Sequence, residues 1–232
     1  MISVVIPTLN EEESIASCIE IIKKTFAEHN LEGEIIVSDV SSDNTPKIAE
    51  KHGAKVIRPV QVGYGHECIV GIEQAKGEHI LLGDGDGTYD FSEMPKFIEL
   101  LEKGADIVIG NRFGGKMERG SMPPLHRYIG NPLLSAIFRT IYKVKLSDIQ
   151  CGMRAFKRGA YKKMHLETTG FELVTEMLIE AVKNEMKIEE VPINYHRRSG
   201  GKSKLKSLRD GWRNVKVMFG RRKNAPLKTQ RR

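Results

Sequence analysis

Residues 2–7, ISVVIP, are a short unbroken run of apolar, mostly β-branched side chains. Comparable runs recur at EIIVSD (34–39), KVIRP (55–59), HILLGD (79–84) and DIVIGNR (106–112). Between the first two, Ile15, Cys18, Ile19, Ile22 and Phe26 repeat at helical spacing. Asn10, followed three residues later by Glu13, reads as a capping box that starts this helix. Helices are predicted over roughly 44–53 and 65–76, and Ser92 reads as the cap of another. The strand-like runs are apolar throughout instead of alternating. That pattern is expected when helices cover both faces of a mostly parallel sheet. The predicted fold class is therefore α/β, a Rossmann-like three-layer α/β/α sandwich.

The second half is less regular. A Gly/Pro-rich loop, GGKMERGSMPP (114–124), leads into a predicted helix over 125–143. LSDIQCGMRAFKR (146–158) reads as strand and loop, TGFELVTEMLIEAVKN (169–184) as a helix, and KIEEVPINYHRR (187–198) as a strand. No internal repeat and no second core-forming segment is visible. The expected division is one α/β domain over 1–198, a basic amphipathic helix over 199–220 and a disordered basic tail over 221–232.

Charge sharpens this division. The 232 residues carry a net charge of +7, but residues 199–232 hold twelve Lys/Arg against the single acid Asp210. The body is therefore net acidic and the tail strongly basic, which points to an anionic partner for the tail, a membrane surface or a nucleic acid. The body has no aromatic-rich RNA-binding motif, so nucleic acid is not expected. No run of 18 apolar residues occurs, so no transmembrane helix is expected. MISVVIPTLN lacks a basic segment before its apolar run and reads as a first strand, not a signal peptide. Cys18, Cys68 and Cys151 are odd in number and widely spaced. They are expected to be free core thiols in a reducing, cytoplasmic setting.

Polar clusters sit where the strands end, the edge at which open α/β sheets bind ligands. They are Thr8-Leu9-Asn10-Glu11, Asp39, Asp84 with Asp86, and Asn111-Arg112. Asp84 and Asp86, in GDGDGTYD, repel each other unless a cation lies between them. Hard divalent ions such as Mg²⁺ or Mn²⁺ take oxygen ligands and commonly bridge to phosphates. Asp and Gly are also turn residues, so a plain turn is the competing reading of this segment.

VVIPTLNEEE, IIVSDVSSDNT, GDGDGTYD and IGNRF together resemble the family 2 glycosyltransferases, which have the GT-A fold. LHRYIGNPLLS, LSDIQCGMRAFKR, GFELVTEMLIEA and EEVPINYHRRSGGKSKL are similar to the branch that makes polyprenyl-phosphate sugars, including dolichyl-phosphate mannose and glucose synthases. The resemblance implies that Pro7, Thr8 and Glu11 line a nucleotide pocket, and that Asp39 bonds the base of a UDP- or GDP-sugar. It implies that Asp84, Gly85 and Asp86 meet the diphosphate, with the two aspartates holding Mg²⁺ or Mn²⁺. Thr88 stands where relatives often carry a metal-binding Gln, which leaves the third ligand open. Arg112, Arg127, Arg198 and Lys204 are implied to face the donor diphosphate and the acceptor phosphate, as bidentate forks and a point charge.

The implied reaction is metal-dependent, inverting transfer of mannose, glucose or N-acetylglucosamine to dolichyl or polyprenyl phosphate. A phosphate acceptor, with a second pKa of about 6, needs little help from a general base. A sugar-hydroxyl acceptor is the rival, with Asp148, Glu172 and Glu176 as candidate bases. Leu205, Leu208, Trp212, Val215 and Phe219 form one helical stripe flanked by Lys206, Arg209, Arg213 and Lys216. Such a helix either lies in a membrane interface or packs its stripe on the body. Relatives often continue into transmembrane helices after this point, so a peripheral enzyme on the cytoplasmic face is expected.

Overall fold

The computed structural model describes residues 1–200 and 207–222, with side chains in the last segment described for 209–221. Lys204, Leu205, Lys206, the side chain of Leu208 and the predicted tail beyond 222 lie outside the described residues.

Seven strands form one sheet: β1 (Ile2–Thr8), β2 (Gly33–Asp39), β3 (Lys55–Ile57), β4 (His79–Leu82), β5 (Ile107–Asn111), β6 (Arg154–Lys157) and β7 (Ile188–Pro192). The spatial order is β3-β2-β1-β4-β6-β5-β7. Only β6 runs antiparallel, paired with β4 on one side and β5 on the other. The mostly parallel α/β sheet expected from the apolar runs is thus present.

Period-two alternation splits each strand between two cores. Ile2, Val4 and Ile6 point to one face, where they meet α1 (Ile15–Glu28) and α4 (Met94–Glu102) through Ile19, Ile22, Phe97 and Leu101. Val5, Ile36, Ile80, Leu82 and Phe156 point to the other. That face is covered by α3 (Tyr64–Glu73), α5 (Asn131–Tyr142) and α7 (Leu173–Lys183). Two short helices, α2 (Thr45–Lys51) and α6 (Arg158–Tyr161), complete the body. Both faces being covered explains why the strands lack polar alternation. All three cysteines are buried and free, and burial pushes the Cys18 and Cys151 thiols up to about 12.

Two expected caps are corrected. The first helix starts at Ile15, not after Asn10. Asn10 has a left-handed backbone (φ 56°), and its side-chain oxygen accepts from the Ser42 amide. A cross-loop hydrogen bond has thus displaced the capping box. Ser92 is not the cap either; its amide donates to Asp90, which caps a 3₁₀ turn (Phe91–Glu93) ahead of α4. The expected helix over 125–143 begins as a wide π-type turn at His126–Gly130. The last strand is shorter than expected. From Ile193 the chain leaves the sheet as a strap, held by Tyr195 bridging to Tyr89 and Met117.

The last helix, α8 (Ser207–Arg222), docks through Asp210, Asn214 and Met218, all buried at four-residue spacing. Tyr142 Oη donates to the Met218 carbonyl at 2.8 Å, and Arg221 pairs with Glu176 and Glu180 of α7. The expected apolar stripe faces the other way: Trp212 is 70% exposed and Phe219 51%. These two aromatic side chains of the stripe therefore do not pack on the body, and Val215 is half-buried. Met218→Ala should cost about 2–5 kcal/mol in urea denaturation, whereas Trp212→Ala should leave the folding midpoint unchanged.

Candidate active site

The strand ends converge on a group of carboxylates. Asp84 and Asp86 follow β4, in a loop that turns at Gly87 with a left-handed backbone (φ 78°). Such a conformation favours glycine, so Gly87 is required by the backbone itself. Gly85 is required by close packing. A side chain at Gly85 would strike Thr8 and Ile6 at 2.9 and 3.0 Å. Its absence lets the loop close on β1, where the Gly85 carbonyl accepts from Ser14.

Asp86 is buried, and its Oδ1 accepts from both the amide and the hydroxyl of Thr88. Thr88 thus orients a carboxylate and does not project as a third ligand. Oδ2 of Asp86 pairs with Nη2 of Arg198 at 2.6 Å, and Nη1 of the same guanidinium lies 2.9 Å from both oxygens of Glu11. Arg198 arrives on the strap, which is pinned to the loop by His196 N–H donating to Thr88 and Ser199 N–H to Asp86. Asp84 accepts from Tyr64 Oη at 3.0 Å. Burial, and then the neighbouring charge of Asp86, push the Asp84 carboxyl up to about 7, against the opposing pull of Tyr64 and Arg198.

This donor set fits a hard divalent cation. Two carboxylates project from one short loop, and a guanidinium already compensates one of them, so the position draws positive charge. Among the described residues no three His, Cys, Asp or Glu side chains gather to hold a metal alone. Asp84 and Asp86 would hold Mg²⁺ or Mn²⁺, with ligand oxygens completing the shell.

Arg112 is buried and paired with Asp148. Its Nε and Nη2 donate to Asp148 at 2.7 and 2.8 Å, and its guanidinium lies over the Tyr195 ring at 5.2 Å. Asp39 is fully buried and takes Thr8 Oγ1, Ser41 N and Oγ, and Arg58 as partners. These contacts fix Asp39 between the end of β1 and the loop after β2. Pro7 and Thr8 are buried behind it. Glu11 does reach the site, through Arg198. Arg127 sits on the π-type turn, over the Tyr128 ring.

The sequence did not single out Tyr64, Tyr89 or Arg154. Arg154 is fully buried on β6, with Nη1 donating to the Val174 carbonyl at 2.7 Å. Tyr89 Oη accepts from the Gly152 amide at 2.8 Å. Asn10, Ser42 and Asp43 line, with Glu11–Glu13 and Gly200, a cavity of about 330 Å³ beside the carboxylates. That is within the size range of small-ligand sites. Only the strand-end rule could have pointed to them.

Residues 3–164 match the family model described as glycosyl transferase family 2. The chain belongs to glycosyltransferase family 2. It is 44% identical over 219 residues to the low-salt glycan biosynthesis hexosyltransferase Agl6 of Haloferax volcanii, covering 94% of this chain and 53% of that protein. The chain thus spans about half the length of that relative. It is 33% identical to a dolichyl-phosphate hexose transferase of the same organism, over 86% of this chain and 84% of the relative. Glucosyl-3-phosphoglycerate synthase of Mycobacterium tuberculosis, solved with Mn²⁺, UDP and phosphoglyceric acid, superposes with a TM-score of 0.77 at 22% identity. That match covers 97% of this chain and 79% of the other, and extends the likeness to the GT-A fold.

Asp84→Asn tests the charge balance of the glycosyltransferase site. A carboxyl with a folded pKa near 7 against about 3.9 unfolded weakens the fold as pH rises across that window. Without divalent metal, the variant should melt above wild type at pH 8. The gain should vanish towards pH 4, where wild-type Asp84 is itself neutral in the fold.

Proposed function

We propose that this chain transfers a hexose from a UDP- or GDP-sugar to a polyprenyl or dolichyl phosphate at a membrane surface. The observation that carries this reading is an apolar surface next to a cation. Leu125, Tyr128, Ile129 and Leu133 are all more than half exposed, and they surround Arg127 on the turn that begins α5. On α8, which packs against α5, Trp212 and Phe219 are exposed too. Arg209, Arg213 and Lys216 are likewise exposed on α8. A lipid phosphate combines the same two properties, an anionic head and an apolar chain. Hexose transfer is supported by family membership and by relatives named as hexosyl or dolichyl-phosphate transferases.

On this reading Asp84 and Asp86 hold the divalent ion, which as a Lewis acid stabilises the charge of the leaving diphosphate. Arg198 leaves its carboxylates for the donor phosphates, and Arg127 receives the acceptor phosphate. Lys204 would add a point charge. The chain's contribution is placement and charge compensation. Two of the three candidate bases are engaged elsewhere: Asp148 with Arg112, and Glu176 with Arg221 and Thr168. A phosphate acceptor requires neither.

No described helix is long and apolar enough to cross a membrane. The proposed setting is peripheral, on the cytoplasmic face, consistent with three unpaired thiols. The test is incubation with UDP- and GDP-hexoses and polyprenyl phosphate, with and without Mn²⁺ or Mg²⁺. Metal-dependent formation of a lipid-linked hexose is expected; folded protein that uses no donor refutes the reading. Arg127→Ala should lower transfer to the lipid phosphate about tenfold or more, the scale of one charge-assisted bond. Trp212→Ala with Phe219→Ala should weaken binding to anionic vesicles while sparing transfer to a short-chain acceptor.

A further inference from the structure

Glu172, the residue immediately before α7, is 92% buried, having a relative exposure of 8%. Its Oε2 has no hydrogen-bond partner, and no Lys or Arg among the described residues is paired with it. It does not cap its own helix. A carboxylate oxygen buried in this way is unfavourable if nothing satisfies it. The local backbone nevertheless accommodates it. A side chain at position 170 would approach Glu172 Oε2 to 2.5 Å, so Gly170 leaves the room the carboxylate occupies.

Its place is the ligand edge of the sheet. Phe171 stacks on Tyr64 with ring centroids 4.7 Å apart, and the hydroxyl of Tyr64 donates to Asp84. One tyrosine therefore links the segment carrying Glu172 to the carboxylate pair. Gly63 and Gly65, flanking Tyr64, pack so closely on the backbone of Thr168 and Thr169 that an added Cβ would lie 2.5–2.6 Å from a carbonyl oxygen. This close contact fixes the start of α3 against the segment leading into α7.

Three ligand chemistries could satisfy the free oxygen: a metal, a cation or a hydroxyl. Glu172 does not join Asp84 and Asp86 in a metal-holding group. No basic side chain among the described residues is paired with it. A carboxylate is acceptor-only, suited to two neighbouring O–H donors, which a hydroxyl-rich ligand supplies. A hexose on a diphosphate held at Asp84 and Asp86 would bring such hydroxyls to this side of Tyr64.

We propose that Glu172 accepts hydrogen bonds from hydroxyls of the transferred hexose and so selects the donor sugar. This rests on the nucleotide-sugar reading above. Calorimetric titrations in Mn²⁺ would compare UDP with UDP-glucose and UDP-N-acetylglucosamine, and GDP with GDP-mannose, on wild type and Glu172→Gln. The variant should bind the preferred nucleotide sugar about 10- to 100-fold more weakly, the range for hydrogen bonds to a charged group. Its affinity for the free nucleoside diphosphate should not change. On the unaltered protein, deoxy analogues of that sugar should include one that loses a similar factor, and Glu172→Gln should lose nothing further on it. Equal losses for diphosphate and nucleotide sugar would overturn the proposal, as would full donor affinity with transfer abolished, the behaviour of a general base. Wild type that binds no nucleotide sugar would instead overturn the underlying reading, and this inference with it.

Discussion

Like charges must be brought together at the end of the sheet, and one guanidinium makes that tolerable. Glu11 follows β1, and Asp84 and Asp86 follow β4, the strand beside it. Parallel pairing therefore delivers all three acids to one edge. Arg198 contacts Glu11 and Asp86 together and compensates both. Among the described residues Asp84 takes a tyrosine hydroxyl as its hydrogen-bond partner, and burial together with the neighbouring Asp86 raises its carboxyl. Asp84 thus has no ion-pair partner among the described residues, a ground state suited to the cation and diphosphate proposed as ligands.

Much of the remaining architecture supplies that arginine. Arg198 lies beyond β7, the outermost strand, and must cross back over β5 and β6 to reach the β4 loop. The strap does this through main-chain bonds to Asp86 and Thr88 and through Tyr195 packed on Tyr89. Arg112 supports the path. Its fork fixes Asp148, and its guanidinium lies over the Tyr195 ring. The two arginines therefore have separate tasks. One is buried and holds the scaffold, and the other is partly open and holds the charges that ligands would take over.

The same division between scaffold and contact surface runs through α8. Its polar and small-looking face, Asp210 and Asn214 with Met218, is the buried one. Asn214 bonds Thr175 of α7, Gln150 and the Asp210 carbonyl. Its aromatic side chains, Trp212 and Phe219, are left outward. A helix whose larger apolar groups are not needed for docking is free to use them elsewhere.

The sequence by itself determined the layers, the parallel sheet and the edge at which polar residues collect. These depend on hydrophobic runs, their β-branched composition and their spacing, all local properties. It also determined that Asp84 and Asp86 sit at that edge, because both lie within a few residues of a strand's last apolar position. Which partner each polar group takes was decided only by tertiary structure. Asn10 left its helix for Ser42, Arg112 turned to Asp148, and Asp39 took Thr8, Ser41 and Arg58 as partners. Most of these partners lie more than thirty residues apart along the chain. Hydrogen bonds and ion pairs are short-ranged and directional, so a pattern along the chain cannot specify them until folding has brought the strands side by side. The face on which α8 docks, and the unpartnered oxygen of Glu172, belong to the same class of fact.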